Sequence, residues 1–159
     1  MHLRGAVIGD AEAVREIYNV EVETSTVTFD LVPRTLVEQQ RWIAERSGAH
    51  AAIVAENNGT IVGFGSLSPY KERAAYSTSV EDSVYVHADH QGRGVGRLLL
   101  DALVDAARAH GFHAVMARIV ADHEASIALH AVCGFEVVGH EREVGRKFGR
   151  WLDVTLMER

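Results

Sequence analysis

The stretch Val80–Arg97 reads V-E-D-S-V-Y-V-H-A-D-H-Q-G-R-G-V-G-R. It falls into three parts. Val80 to Val86 carries three valines and a tyrosine, residue types that favour a strand. Gln91 to Gly96 is a glycine-rich turn with an arginine inside it. From Val95 an amphipathic helix begins, with Val95, Leu98, Leu99, Ala102, Leu103 and Ala106 on one face and Arg97, Asp101, Asp105 and Arg108 mostly opposite. Glycine permits positive φ, and without a Cβ its amide can approach a ligand closely. Successive N–H groups at the positive end of a helix dipole make a seat for an anion. A carboxylate, Glu81, rides on the incoming strand. The stretch reads as a holder for a phosphorylated cofactor, with a base set near its reactive end.

Two familiar phosphate binders do not fit. A P-loop needs Gly-Lys-Ser/Thr after its glycines, and none follows. A dinucleotide fingerprint needs G-x-G-x-x-G and an acidic residue about 20 positions on. Neither the glycine spacing nor the placement of Asp122 meets that pattern.

The rest of the chain bounds the answer. Its 159 residues suit one domain, 1–159, with one core. Lys plus Arg is 16 and Asp plus Glu is 22, a net charge of −6. That lack of basic excess argues against nucleic acid as a partner. No apolar run reaches the roughly 20 residues of a membrane span, and the N-terminus has no signal-peptide core. Cys133 is the single cysteine, which excludes an intrachain disulfide. A cytoplasmic location is the default expectation. Nine histidines are present, but none forms a metal set; His87 and His90 flank the turn without partners at ligand spacing.

Turn and cap signals divide the chain into elements. Residues 2–7 form a short strand. Asp10 is the expected N-cap of a helix carrying Val14, Ile17, Tyr18 and Val22. Thr24 to Pro33 is a loop of a length that often borders a ligand site. Thr35 and Glu38 make a capping box, so a second helix runs from Leu36 to about Gly48. Ala51–Ala55 and Ile61–Leu67 are strands joined through Asn57-Asn58-Gly59, a tight-hairpin signal. After the glycine-turn helix come a strand at Ala114–Val120, a helix at Glu124–Val132, and a closing hairpin of Phe135–Val144 with Trp151–Met157. This order predicts an α+β fold: a central, mixed, mostly antiparallel sheet with helices on both faces.

Gln91-Gly92-Arg93-Gly94-Val95-Gly96 resembles the Q/R-x-x-G-x-G/A signature of the GNAT acyltransferases. Tyr70–Val86, Ser126–Phe135 (S-I-A-L-H-A-V-C-G-F) and Val144–Asp153 (V-G-R-K-F-G-R-W-L-D) extend that likeness over nearly the whole chain. They point to the phosphinothricin and methionine sulfoximine N-acetyltransferase branch. The resemblance implies a GNAT-type α/β fold, acetyl-CoA as co-substrate, no metal, a small amino-acid-like amine as acceptor, and a homodimer.

Acetyl transfer to an amine needs a neutral amine, a polarised thioester oxygen and a stabilised or protonated thiolate. Glu81 is the expected base, acting directly or through a water. Strand alternation sets Glu81, Ser83 and Tyr85 on one face, and Val80, Asp82, Val84 and Val86 on the other. By resemblance, Val84, Tyr85 and Val86 offer backbone amides to the pantetheine arm once this strand leaves the one at 114–120. Gln91, Gly92, Arg93, Gly94, Val95, Gly96 and Arg97 hold the pyrophosphate. His123 stands where the family commonly has an asparagine, so that contact survives, moves to Asp122, or is absent. Ser126 and His130 keep the family pattern. Lys71, Arg73 and Tyr76, with Glu81, Ser83 and His130, are assigned to the acceptor, because an arginine fork suits an anionic group. Phe29 and Lys147–Trp151 either line the site or meet a second copy. Cys133, in an apolar helical run, reads as a structural thiol. Acetylation of a protein N-terminus or a polyamine, and an acyl-CoA-binding module without catalysis, are the competing functions.

Overall fold

The computed structural model describes all 159 residues. Its elements are β1 (His2–Gly5), α1 (Ala11–Thr24), α2 (Leu36–Ala44), β2 (Ala52–Asn57), β3 (Thr60–Pro69), β4 (Ser79–Val86), α3 (Val95–Ala109), β5 (Ala114–Val120), α4 (Glu124–Val132), β6 (Glu136–Lys147) and β7 (Arg150–Glu158). The seven strands form one sheet in the order β1-β2-β3-β4-β5-β7-β6. Every neighbouring pair is antiparallel except β4 with β5, which is parallel.

Helices cover both faces. On one, Val14, Ile17, Tyr18 and Val22 of α1 pack on Val54 and Phe64. On the other, Leu100 and Leu103 of α3 pack with Leu67, Val80 and Val115, together with Cys133 and Phe135 at the end of α4. A fully buried Val or Leu contributes roughly 1.5–3 kcal/mol, so this second face carries much of the stability. The buried stripe of α3 is Val95, Leu99, Leu100, Leu103, Val104 and Ala107. Leu98, expected inside, is exposed. The sheet twists under the helix, and the stripe that meets it is rotated toward residues 100 and 104.

α3 lies close over β3 because β3 presents glycines to it. A Cβ on Gly65 would sit 2.8 Å from Leu103 Cδ1 and 3.1 Å from Ser83 O. The register shifts near Ala55, where Ala55 pairs with Gly63 but Glu56 pairs with Ile61. Val62 is the extra residue of this bulge. It turns onto the α3 face and joins Ala55, Val95 and Leu99.

Local signals mostly hold. Thr35 Oγ1 accepts from the Glu38 N–H (3.2 Å), and Glu38 Oε2 accepts from the Thr35 N–H (2.7 Å). Asn58 and Gly59 take φ of 50° and 80°, as a two-residue hairpin turn requires. Three expectations need correction. β1 stops at Gly5 rather than residue 7, because a short 3-10 turn (Ile8–Asp10) follows. Asp10 does not cap α1 with its side chain. Its carboxylate is spent on Arg4 (2.7 and 2.9 Å) and on the Val7 N–H (2.9 Å), which closes that turn. α2 ends at Ala44, short of Gly48. Arg46 leaves the helix to lie over Trp42 (4.0 Å) and donate to Ser68 Oγ (3.0 Å) on β3.

Candidate active site

β4 and β5 are paired only at Ser79–Ala114, Val80–Val115 and Glu81–Met116. Beyond Glu81 they part. β4 stays with β3 as far as Val86, while β5 stays with β7 as far as Val120. The gap is a cavity of about 300 Å³, with Ser83, Val84, Tyr85 and Val86 on one wall and Ala117 to Val120 on the other. The His87 N–H donates to Val62 O on β3 (2.9 Å). Alternation along an antiparallel strand then aims the amides of Val84 and Val86, beyond the last β4–β5 pair, into the gap. The sheet has left them free for a ligand.

The glycine turn opens a second cavity, of about 380 Å³, lined by Gly92, Gly94, Gly96 and Arg97. Val84, Val86, Gln91, His123 and Ser126 line both, so the two are continuous. Gly92 and Gly94 take φ of 69° and 83°. No backbone amide from Gly92 to Arg97 makes an intrachain hydrogen bond; Leu98 N–H, bonded to Gly94 O (3.1 Å), is the first one used. Six free amides at the start of a 15-residue helix fit a diphosphate. Gln91 Nε2 donates to Val86 O (3.2 Å) and holds the turn against β4.

Charged side chains gather at the two sides of the gap. On the α1 side, Glu81 lines neither cavity itself but sits beside the gap, its Oε1 3.7 Å from Nε of the lining residue Arg118, whose Nη2 lies 2.7 Å from Glu141 Oε1. Burial pushes the Glu81 carboxyl above its ordinary value; Arg118 pulls it back and Asp82 adds to the rise. On the α4 side, His130 Nε2 lies 3.1 Å from Asp82 Oδ2, with side chains only 5% and 2% exposed. His130 Nδ1 lies 2.7 Å from Ser126 O. Both ring nitrogens therefore face acceptors, and the pair must hold an extra proton. Burial opposes charge on His130, but the Asp82 hydrogen bond and charge outweigh it, and the pKa is raised. Asp82 Oδ1 is buried without a partner.

His123 immediately precedes α4 and lines both cavities. Burial lowers its pKa, so a neutral imidazole stands there. Asp122 instead pairs outward with Arg150 (3.2 Å). Ser126 and Ser83 also reach the gap. Cys133 is buried, and burial with the Asp101 charge pushes its thiol up to about 11. It is no nucleophile at neutral pH.

Several expected residues stand elsewhere. The Val95 side chain is in the core, so only its amide faces the turn. Tyr85 contributes backbone, because its ring stacks on Phe64 (5.2 Å) and edges Tyr18 (5.1 Å). Arg93 lines neither cavity. Lys71, Arg73 and Tyr76 are exposed and also line neither. Lys71 Nζ lies over the Tyr70 and Tyr76 rings, at 4.9 and 5.0 Å. Phe29 packs on Gly145, where a Cβ would meet its ring. Lys147 is buried and donates to Thr28 O (2.9 Å), tying the 24–33 loop to β6. That loop does border the gap, through Val27.

Asp82, Glu21 and Arg118 line the gap without having been assigned from the sequence. Two of them left a trace there. Asp82 is a carboxylate on the valine face of β4, and Arg118 is a lone cation in A-V-M-A-R-I-V. A charge inside an apolar strand needs a partner or a ligand.

Residues 12–135 match the family model described as the acetyltransferase (GNAT) family. The chain belongs to the GNAT family. It is 37% identical to an L-methionine sulfoximine/L-methionine sulfone acetyltransferase of Pseudomonas paraeruginosa, over 98% of this chain and 92% of that protein. A ribosomal-protein-alanine N-acetyltransferase of Brucella melitensis superposes with a TM-score of 0.98 at 37% identity, covering 100% of this chain and 99% of the other. A GNAT superfamily phosphinothricin acetyltransferase of Sinorhizobium meliloti, solved with acetyl-CoA, gives 0.95 at 36% identity, covering 99% and 86%. The seven-stranded sheet with four α-helices is the fold of these GNAT structures. The chain is an acetyl-CoA-dependent N-acetyltransferase. No group of three or more His, Cys, Asp or Glu side chains comes together to hold a metal, and no helix is long and apolar enough to cross a membrane.

Proposed function

We propose that this GNAT enzyme acetylates the amine of a small amino-acid-like substrate such as phosphinothricin or methionine sulfoximine, by direct attack within the gap between β4 and β5. The observation that carries the reading is the parting of these strands after Glu81, with the Glu81 carboxylate beside the gap on one side and the His130–Asp82 pair on the other. Acetyl-CoA supplies an activated acetyl thioester. The free amides of residues 92–97 hold its pyrophosphate, and those of Val84 and Val86 bind the pantetheine arm and polarise the thioester carbonyl. Glu81, in its ionised form, removes the amine's proton directly or through a water. The charge of His130, held by Asp82 at the wall of the gap, stabilises the leaving thiolate, which takes up the proton released by the amine. His123 and Ser126 flank the route between the two cavities.

The likeness to a ribosomal-protein-alanine enzyme favours one alternative, a protein N-terminus as acceptor. The gap favours the small substrate, since its cavity of about 300 Å³ is at the low end of the size of small-ligand sites. Thiol release with acetyl-CoA decides between them. The small-substrate reading expects turnover of phosphinothricin, methionine sulfoximine or methionine sulfone, with the N-acetyl product found by mass. Turnover of N-terminal peptides or polyamines alone would overturn it. Exposed Phe148 and Trp151 on the β6–β7 hairpin support a homodimer, which sedimentation tests. The single free cysteine supports a reducing, cytoplasmic setting.

A further inference from the structure

We propose that Arg118 is the residue that recognises the acceptor, by binding the carboxylate of an α-amino acid whose amine is taken by Glu81. This rests on the reading of Glu81 as the amine's base. Arg118 was not among the residues expected to bind the acceptor, and the two expected cations, Lys71 and Arg73, line neither cavity.

Arg118 lines the gap with about a third of its side chain exposed. Its guanidinium is close to two carboxylates but hydrogen-bonded to neither. Glu81 Oε1 is 3.7 Å from Nε, too far for a hydrogen bond. Glu141 Oε1 is 2.7 Å from Nη2, yet that oxygen is buried with no hydrogen-bond partner, so the N–H bonds do not point at it. The fork is held by these two ion pairs without an aligned hydrogen bond, so its donors can turn to a ligand that displaces Glu141. An arginine fork with free donors beside a cavity is built for a planar anion. Its nearness to Glu81 limits which anion. A ligand that gives its amine to Glu81 and its anion to Arg118 must carry both groups side by side. An amine and a carboxylate on one carbon meet that demand. A polyamine has no anion, and an amine whose carboxylate lies several carbons away spans too far. Glu141 completes the picture as the carboxylate that holds Arg118 when no acceptor is bound.

Calorimetry on the CoA-loaded protein tests this with L-methionine sulfoximine and its α-carboxamide. The wild type should bind the acid at least about 10-fold more tightly than the amide, as a charge-assisted fork implies. Arg118→Ala should erase that ratio by weakening the acid alone, and Arg118→Lys should restore part of it. Glu141→Gln should tighten the acid. An equal acid-to-amide ratio in the wild type and Arg118→Ala would overturn the proposal. So would equal weakening of both ligands with a fallen melting temperature, the sign of a mere structural brace. Loss of the ratio in Arg73→Ala but not in Arg118→Ala would also overturn it. Thiol release separates the two levels: an acid preference that depends on Arg118 without turnover of any amine would sink the proposed reaction and keep the anion site. Turnover of amino acids without that preference would do the reverse.

Discussion

Replacing Asp82 by Asn keeps the shape of the β4–α4 contact and removes its charge. In the wild type His130 has Ser126 O at 2.7 Å from Nδ1 and Asp82 Oδ2 at 3.1 Å from Nε2. Both are acceptors, so the ring carries both protons. In Asp82→Asn the amide can donate to Nε2, and the ring becomes neutral with its Nδ1 bond intact. A hydrogen bond to a charged group contributes about 1.5–3 kcal/mol and a neutral one about 0.5–1.5. The expected loss is therefore about 1 kcal/mol, a fall of roughly 2–4 °C in melting temperature for a domain of this size. The sign with pH follows from the raised pKa of His130. Stability from the charged pair is fully present below the ordinary histidine value of 6.5 and is lost as pH rises through the higher folded value. The gap in melting temperature between wild type and Asp82→Asn should thus be largest in mild acid and close in alkali. Catalysis should suffer more than stability, because a preorganised group that stabilises developing charge contributes about 10²–10³-fold. Loss of the charged form at neutral pH should cost kcat about 100-fold, with the alkaline limb of the kcat profile moved to lower pH. Thermal melts across pH and thiol-release kinetics read both effects. A melting difference independent of pH, or an unchanged kcat, would refute the assignment of the proton to this pair.

Two further predictions concern glycines. Gly94→Val puts a β-branched residue at φ 83°, at a strain of about 1–2 kcal/mol, and turns the amides of the anion seat; the Kd for CoA by calorimetry should rise about 10-fold, and an unaltered Kd would reject the seat. Gly65→Val must displace Leu103, whose Cδ1 would lie 2.8 Å from the new Cβ; chemical denaturation should register a loss of about 1–3 kcal/mol, and full stability would show that α3 is free to move off β3.

What was legible in the sequence was local. The Thr35–Glu38 box, the Asn58-Gly59 turn and the glycine turn each follow from the chemistry of a few adjacent residues, and each is found in place. The parting of β4 from β5 came only with the family resemblance, because valine-rich strands read alike whether paired or not. Asp82 and His130 are 48 residues apart, and Glu141 is further along still than Arg118. Their meeting depends on how α4 and β6 fold back on the sheet, which periodicity does not encode. The α3 stripe was read one position off for a similar reason: the sheet twist, not the helix alone, selects which side chains are covered. Lys71, Arg73 and Tyr76 are assigned by likeness alone; they are exposed, and the cation that lines the gap is Arg118.

The central proposed step is Glu81 taking the amine's proton at the edge of the gap. The direct measurement is the pH dependence of kcat/KM for methionine sulfoximine in the wild type and in Glu81→Gln. Burial raises the Glu81 pKa above its ordinary 4.5, and the base works only when ionised. Wild-type activity should therefore fall as pH drops through that raised value. Glu81→Gln should lose about 10²–10⁴-fold of activity and show no such acid limb, with CoA binding intact. The same acid limb in Glu81→Gln, at near wild-type rate, would contradict the account.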